Sequence, residues 1–290
     1  MGLSPFHALY KARTLAGYAS GRMKLAAAYA ASNIAVYPYQ IAAARFALRS
    51  PYLKGCILCD DGSLGKSYEA LLVITQAWYE GRDRILIVVP TPLLAQWVKI
   101  MENRFSVPFY TVDNKAALNE HIDSGGGNPF DRDGVILTTY DFAAEKAEHL
   151  SQITWHLAVF EEAHHLRRIY TGDQRDAGPN TPSVHKYRSL AEALKGAFKL
   201  LMTATPMQNS IMDLYGLIHF IDETALPDAD SFYKRYFRKP ERYGELAERA
   251  SKYCFRTLRS QVASYVKIPE RIVVTADFSL SEREQQLYDR

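Results

Sequence analysis

The stretch LCDDGSLGKSYEA, residues 58–70, joins an apolar run to a helical pattern and contains Gly65, Lys66 and Ser67 in succession. This tripeptide is what a phosphate-binding loop needs, although Asp60 stands where the usual pattern has its first glycine. Backbone N–H groups in such a loop, together with the N-terminus of a helix that begins at Lys66, can cradle an anion. The stretch predicts a strand, a loop and a helix. The alternative is an ordinary glycine turn with a surface lysine.

Apolar runs of the same kind recur along the chain, and each is continuous rather than alternating. They occupy residues 55–59, 84–90, 134–140, 156–162 and 198–206. Continuous runs are typical of strands buried on both faces of a parallel sheet, and segments with helical patterning lie between them. The sequence therefore predicts an α/β fold, a doubly wound parallel sheet with helices on both faces, in which ligands bind at the carboxyl ends of the strands.

Two acids follow the fourth apolar run, where Glu161 and Glu162 precede Ala163 and His164. Enzymes that transfer phosphoryl groups use one acid at this position to hold a metal ion and a second to polarise the attacking water. The alternative is a strand end that is merely exposed. Because parallel strands end at one edge of a sheet, we expect both acids to lie near Lys66. Together the two motifs predict a nucleotide hydrolase.

Composition is that of an ordinary globular protein, with 290 residues, 48% hydrophobic and 23% charged residues, and a formal charge of +3. This charge permits a polyanionic partner but does not require one. No apolar run approaches the roughly 18 residues that span a bilayer, and the N-terminus lacks a signal-peptide core. We expect a cytoplasmic protein with no membrane partner. Cys56 and Cys59 should point to opposite faces of a strand, which favours a structural role.

The order of the motifs identifies a resemblance. PYQIAAARFAL, KGCILCDDGSLGKSYEALLV, ILIVVPTPLLAQW, VILTTYDF, LAVFEEAHHL and LLMTATPMQNSIMDLYGLIHFID are similar to the first RecA-like lobe of superfamily-2 helicase-like ATPases. More narrowly, they resemble the Swi/Snf-type double-stranded DNA translocases of the bacterial RapA-like branch. The match runs from about Val36 to Asp222 and continues through residues 255–289. TATPMQNS and PTPLLAQW are its most specific parts, and neither a small-molecule kinase nor a GTPase accounts for them.

The resemblance implies a P-loop NTPase that uses ATP and Mg²⁺, with a role for each matching position. The loop residues that hold phosphates and Mg²⁺ would be Asp61, Gly62, Ser63, Gly65, Lys66 and Ser67. Gln40 would bind adenine, Glu161 would hold the metal with Ser67, and Glu162 would be the general base. Residues that couple hydrolysis to movement would be His164, Thr203, Ala204 and Thr205. Residues that face DNA would be Pro90, Thr91, Gln96, Thr138 and Thr139; for Trp97 we favour core packing.

Composition and the resemblance together divide the chain. Composition predicts an N-terminal helical extension (residues 1–35) and a basic helical extension (226–262). The resemblance implies the ATP-binding lobe (36–225) and a connector toward a second RecA-like lobe (263–290). Residues 166–186 have the composition of a long mobile loop. Ser281 and Glu284 have capping-box spacing shortly before Arg290, which suggests a fragment of a longer protein.

Two departures from the family pattern matter. The family has glycine where Ser63 stands, so a positive φ there would cost about 1 kcal/mol or more. The family has aspartate where Glu161 stands; Asp60 agrees with the family pattern, and Ser67 keeps the hydroxyl of its threonine. The leading hypothesis is a DNA-dependent ATPase lobe that is incomplete, and weakly active, without a second lobe. The alternative is a non-catalytic, nucleotide-switched DNA-binding module. Both predict salt-sensitive binding to the backbone of duplex DNA in the nucleoid.

Overall fold

The computed structural model describes residues 25, 36–49, 54–105, 107–114, 127–167, 182–264, 266, 274–275, 281 and 284–286. The predicted N-terminal helical extension, except for residue 25, and most of the predicted connector lie outside the described residues. The chain divides into two compact units, one ending at Leu258 and the other beginning at Arg259. The predicted boundaries at residues 225 and 262 stay predictions.

A seven-stranded parallel sheet forms the centre of the first unit, with the strand order β3-β4-β2-β5-β6-β1-β7. The strands are β1 (Gly55–Leu58), β2 (Ile85–Val89), β3 (Phe109–Thr111), β4 (Val135–Thr139), β5 (Leu157–Phe160), β6 (Phe198–Met202) and β7 (Cys254–Phe255). All five predicted apolar runs are strands, and the predicted α/β fold is confirmed. Because the strands are parallel, the ends of β1, β5 and β6 meet at one edge.

Helices connect the strands and cover the sheet. They are α1 (Pro38–Leu48), α2 (Lys66–Tyr79), α3 (Leu94–Arg104), α4 (Tyr140–Glu145), α5 (Ala147–Ser151), α6 (Pro182–Ala193), α7 (Ile211–Ile221), α8 (Ala229–Tyr236) and α9 (Tyr243–Ala250). The first unit also has short 3-10 helices at Thr91–Leu93, Ala163–Leu166 and Pro240–Arg242. No helix in the described part of the chain is long and apolar enough to cross a bilayer.

The core has one cluster on each face of the sheet, as a parallel sheet that is buried on both faces requires. Alternate residues of β1 divide between them: Cys56 and Leu58 belong to one cluster, and Ile57 and Cys59 to the other. The predicted opposite orientation of the two cysteines is therefore confirmed. Both thiols are free and buried.

Two expectations about irregular segments need correction. The stretch 166–186 was expected to be a loop, but α6 begins at Pro182, and residues 168–181 lie outside the described part. The segment 226–262 contains α8 and α9 as expected, but β7 also lies within it and pairs with β1 at the sheet edge. Two residues are too few for a strand to produce a periodic signal.

The second unit is described only in part. Its described residues include the short helix α10 (Arg259–Val262). The predicted capping-box pair is present, because the backbone N–H of Ser281 donates to Oε2 of Glu284 at 2.9 Å.

Candidate nucleotide-binding site

The loop between β1 and α2 has two residues in the left-handed region. Gly65 has φ +83°, and a Cβ atom there would lie 2.7 Å from Nε2 of Gln40. Glycine is therefore required at this position both for its conformation and for its lack of a side chain. Ser63 has φ +66°, which a serine adopts only with strain. The condition set by the sequence, a positive φ at position 63, is met in the structure.

Lys66 opens α2 and is buried, with 8% of its surface exposed. Its ammonium donates a hydrogen bond to the carbonyl oxygen of Asp60 at 3.0 Å, across the concave side of the loop. A buried lysine at a helix N-terminus gives this edge of the sheet a positive potential that suits phosphate.

Gln40 lies in the first turn of α1, and only 3% of its surface is exposed. Its Oε1 accepts from the backbone N–H of Tyr37 at 3.0 Å, and its Nε2 donates to the carbonyl oxygen of Leu64 at 2.9 Å. The side chain thus braces the phosphate loop. The adenine contact stays a prediction, and such a contact would have to use the remaining N–H and lone pair.

The end of β5 brings an acid to the phosphate loop. Ser67 Oγ donates to Oε2 of Glu161 at 3.3 Å, so a hydroxyl and a carboxylate lie side by side next to Lys66. Glu161 is buried, and that burial together with the charge of Glu162 raises its pKa to about 7, against the opposing charge of Lys66. Oxygen donors of this kind are the ligands that Mg²⁺ prefers, so the residues fit the ion.

Glu162, the second acid, is partly exposed. It adopts φ +48°, and its Oε2 lies 3.0 Å from Nδ1 of His164. The left-handed backbone at Glu162 turns the chain from β5 into the 3-10 helix Ala163–Leu166. The two neighbouring acids therefore face different surroundings, one buried beside Ser67 and one accessible beside a histidine.

The segment after β6 is hydrogen-bonded to the end of β1 and to the turn that follows the two acids. The backbone N–H of Thr203 donates to the carbonyl of Leu58 at 3.1 Å, and its hydroxyl accepts from the N–H of Thr205 at 3.2 Å. Ala204 and Thr205 lie nearer the surface. Arg167, just past the turn, donates to Oε1 of Gln208 at 2.7 Å. Of the predicted coupling residues, Thr203 is thus hydrogen-bonded to the strand that leads into the phosphate loop, and the coupling role stays a prediction.

Residues predicted to face DNA fall into two groups. Thr91 and Gln96 are exposed and Pro90 is half-buried, which leaves that group available. Thr138 is fully buried, and Thr139 is 5% exposed and accepts from the N–H of Phe142 at the start of α4. Both side chains are therefore inaccessible in this structure, where β4 lies in the interior of the sheet, and their contact with DNA stays a prediction. Among the aromatic residues nearby, Trp97 is 1% exposed, as expected for core packing.

A second pair of acids lies beneath the loop. Asp60 and Glu69 are both fully buried. In the described part of the chain, no N–H or O–H group of another residue reaches Asp60 Oδ2 or either carboxyl oxygen of Glu69. Within that part, the only donor available to these oxygens is a proton carried by one of the two carboxyl groups. Burial and the neighbouring Asp60 charge raise the pKa of Glu69 to about 10, and Glu69 is hydrogen-bonded to Asp60. Glu69 therefore keeps its proton at neutral pH.

Comparison of the whole sequence with known protein families agrees with this arrangement of a lysine, a hydroxyl and two acids at one edge of the sheet. A profile of the SNF2-related domain matches residues 39–290. The chain belongs to the SNF2-related domain family. The predicted Swi/Snf-type relationship is thereby confirmed.

Curated relatives of this SNF2-related domain include two RapA proteins. RNA polymerase-associated protein RapA of Sodalis glossinidius (strain morsitans) is 33% identical over 180 residues, covering 61% of this chain and 18% of that protein. RapA of Yersinia pseudotuberculosis serotype O:1b (strain IP 31758) is 31% identical over 196 residues, covering 66% and 19%. These matches support the predicted RapA-like branch. The chain spans about a fifth of the length of these relatives.

Solved structures give the same fold for the SNF2-related domain. The Sulfolobus solfataricus SWI2/SNF2 ATPase core in complex with dsDNA has a TM-score of 0.62 and 22% identity, covering 80% of this chain and 46% of that one. The ATPase core domain from the same organism has a TM-score of 0.63 and 19% identity, covering 89% and 50%. At this identity the likeness concerns the fold, and it confirms the predicted RecA-like sheet.

Sequence reasoning missed several residues of this SNF2-related domain that surround the loop. Asp60 was noticed only for its place in the loop pattern, with no role assigned to its side chain, and Glu69 not at all. Arg256 and Thr257, which contact the loop from the end of β7, carry no local motif. An acid three positions into a helix has many ordinary explanations, and only the pairing of β7 with β1 brings the distant segment to the loop.

Proposed function

We propose that the chain is the ATP-binding lobe of a DNA-dependent ATPase that moves along duplex DNA. The observation that carries this proposal is the 3.3 Å hydrogen bond from Ser67 to Glu161, which joins the phosphate loop to the acid pair. Phosphoryl-transfer enzymes need these groups at a single magnesium triphosphate, and the burial of Lys66 and Glu161 supplies a site of low dielectric.

Each residue has a distinct task in this proposal. Lys66 leaves the Asp60 carbonyl and binds the β- and γ-phosphates, while the backbone N–H groups of the loop hold the remaining oxygens. Ser67 and Glu161 would hold Mg²⁺, which neutralises charge on the phosphates when bound. Glu162 accepts the proton of the attacking water, and His164 orients that carboxylate from 3.0 Å. Gln40 is proposed to bind adenine from the loop's other side.

Duplex DNA and a second RecA-like lobe are the proposed partners. DNA is supported by the fold shared with an ATPase core solved with dsDNA, and the exposed Thr91 and Gln96, with the half-buried Pro90, would contact its backbone. A second lobe is supported by the small share of the RapA relatives that this chain covers. We propose that this lobe completes the ATP site and that the chain alone hydrolyses ATP slowly. A cytoplasmic, nucleoid-associated location follows from these partners.

Calorimetric titration with Mg·ATP, paired with an ATPase assay with and without duplex DNA, tests the proposal. We expect binding that Lys66→Ala weakens more than about tenfold, because one buried charge-assisted contact is lost. Glu162→Gln should keep binding within roughly threefold and abolish the residual hydrolysis. No heat from Mg·ATP would refute a nucleotide site. Binding with hydrolysis no higher than in Glu162→Gln would instead indicate a non-catalytic, nucleotide-switched module.

A further inference from the structure

The hydrogen-bonded ladder between β1 and β7 continues past the end of the strands into the phosphate loop. The N–H of Cys59 donates to the carbonyl of Phe255 at 2.8 Å, and the N–H of Asp61 donates to the carbonyl of Thr257 at 3.0 Å. The first three residues of the loop, 59–61, therefore behave as an extension of β1 that is paired with the end of β7 and the residues after it.

Side chains reinforce this extension. The backbone N–H of Thr257 donates to Oδ1 of Asp60 at 2.7 Å, and Nη2 of Arg256 donates to Oδ1 of Asp61 at 3.0 Å. The first contact is buried, because Asp60 is 0% and Thr257 7% exposed. The second is partly exposed. We call Asp60, Asp61, Arg256 and Thr257 the loop clasp.

Asp60 has further contacts that relate the loop clasp to the nucleotide site. Its carbonyl oxygen accepts a hydrogen bond from the ammonium of Lys66 at 3.0 Å, and its carboxyl group interacts with that of Glu69 on α2. A phosphate that binds Lys66 draws on the same ammonium group that contacts the Asp60 carbonyl, so its binding alters that contact. The residue that Lys66 contacts is thus the residue that holds Thr257.

From these contacts we propose that Asp60 and Arg256 are positioning residues that couple the phosphate loop to residues 254–258. Nucleotide bound at the loop then changes the protection of that segment, which ends where the first unit ends at Leu258. The inference rests on the proposed function, because it requires Mg·ATP at the loop. Neither residue touches the nucleotide; each acts through Asp61, Thr257 or Lys66.

Hydrogen–deuterium exchange of the full chain, with and without saturating Mg·ATP, tests the coupling. In the wild-type chain we expect the exchange rate in peptides covering residues 254–258 to change at least about threefold on binding. Arg256→Gln should bind Mg·ATP within roughly threefold of wild type yet lose most of this change, because the guanidinium contact to the loop is gone. Arg256→Lys, which keeps the charge, should restore part of it.

Matched variants separate coupling from general loosening. Arg249→Gln removes an arginine of similar exposure that pairs with Glu245, so it should leave the exchange change intact. Asp60→Asn keeps an oxygen that accepts from Thr257 and should respond as wild type, whereas Asp60→Ala should not. If Asp60→Ala fails to fold, the Arg256 and Arg249 variants still test whether the loop is coupled to residues 254–258. Protection of β2 and β4 reports folding and should not change in any folded variant.

Three results would contradict the coupling, and only the last of them would also contradict the proposed function. Binding of Mg·ATP without any exchange change in residues 254–258 would overturn the loop clasp and leave the proposed function standing. A wild-type response in Arg256→Gln would do the same. Absence of binding would overturn both the proposed function and the coupling that rests on it.

Discussion

Ser67 and Glu161 are 94 residues apart in the chain, yet the hydroxyl of the first donates to the carboxylate of the second at 3.3 Å. The parallel sheet causes this meeting, because β1 and β5 both border β6 and end at the same edge. The contact places a hydroxyl and a carboxylate beside a buried lysine, and the predictions for Ser67 and Glu161 rest on this arrangement.

Replacement of Ser67 tests the proposed metal site. Ser67→Ala removes one oxygen donor, so the affinity for Mg·ATP should fall about tenfold, which is the scale of one lost charge-assisted contact. Ser67→Thr keeps the hydroxyl and should bind within roughly threefold of wild type. Titrations of ATP with and without Mg²⁺ measure both. Equal losses in the two conditions would show that the hydroxyl serves the loop's structure and holds no metal.

Nucleotide binding should depend on pH through Glu161. Its pKa is raised to about 7 by burial and by Glu162, so the carboxylate that Mg²⁺ needs is present above pH 7 and is protonated below it. Affinity for Mg·ATP should therefore fall by about tenfold in all as the pH is lowered from 8 to 6, with most of the loss below pH 7. Titrations at pH 6, 7 and 8 check this. Glu161→Gln is the control, because ATP still titrates in this pH range but residue 161 does not. If the affinity of this variant depends on pH as steeply as that of wild type, the prediction is contradicted.

Much of this site was readable from the sequence because its parts are local. A continuous apolar run followed by Gly65, Lys66 and Ser67 specifies strand, loop and helix together, and the same holds for the acids after β5. The position of glycine in the family pattern raised the question of left-handed backbone at Ser63. Each of these features depends on neighbours within a few residues, which a sequence displays directly.

The features that could not be predicted from the sequence depend on contacts between segments that are distant in the chain. Strand β7 has two residues and no periodic pattern, so its pairing with β1 could not be anticipated. Without that pairing, nothing indicates that Thr257 reaches Asp60. Burial of Thr138 was also concealed, since a threonine at the end of a strand is as often exposed as packed. Its position between β2 and β3 in the sheet decides the matter.

Replacement of Glu69 by Gln should stabilise the chain at neutral pH. Its pKa is about 10 in the folded state against 4.5 ordinarily, so its favourable contribution to folding is complete below pH 4.5 and is lost as the pH rises toward 10. At pH 7 this loss amounts to up to about 3 kcal/mol, which Gln avoids while still donating to Asp60. Thermal unfolding at pH 5 and pH 8 measures it. A wild-type pH dependence in Glu69→Gln would contradict the prediction.

Replacement of Ser63 by glycine should also stabilise the chain. Ser63 has φ +66°, a conformation that glycine adopts without the cost that a Cβ atom imposes, so the free energy of unfolding should rise by about 1 kcal/mol. Ser251, in the right-handed helical region at φ −59°, is a matched control: Ser251→Gly should lower that energy by about the same amount. Chemical denaturation of both variants gives the comparison, and two changes of the same sign would show that backbone strain at 63 is not the cause.

Replacement of Thr138 by valine distinguishes burial from DNA contact. In the described part of the chain its Oγ1 is buried without a hydrogen-bond partner, and valine has the same branched shape, so the free energy of unfolding should rise by about 1 kcal/mol. Thr139→Val instead removes the hydroxyl that accepts from Phe142 and should lower it by about 1 kcal/mol. Fluorescence anisotropy with duplex DNA should show unchanged affinity for Thr138→Val and weaker binding for Gln96→Ala, whose side chain is exposed. Because a fully buried hydroxyl cannot reach a phosphate, loss of DNA affinity in a stable Thr138→Val chain would mean that β4 is exposed when DNA binds.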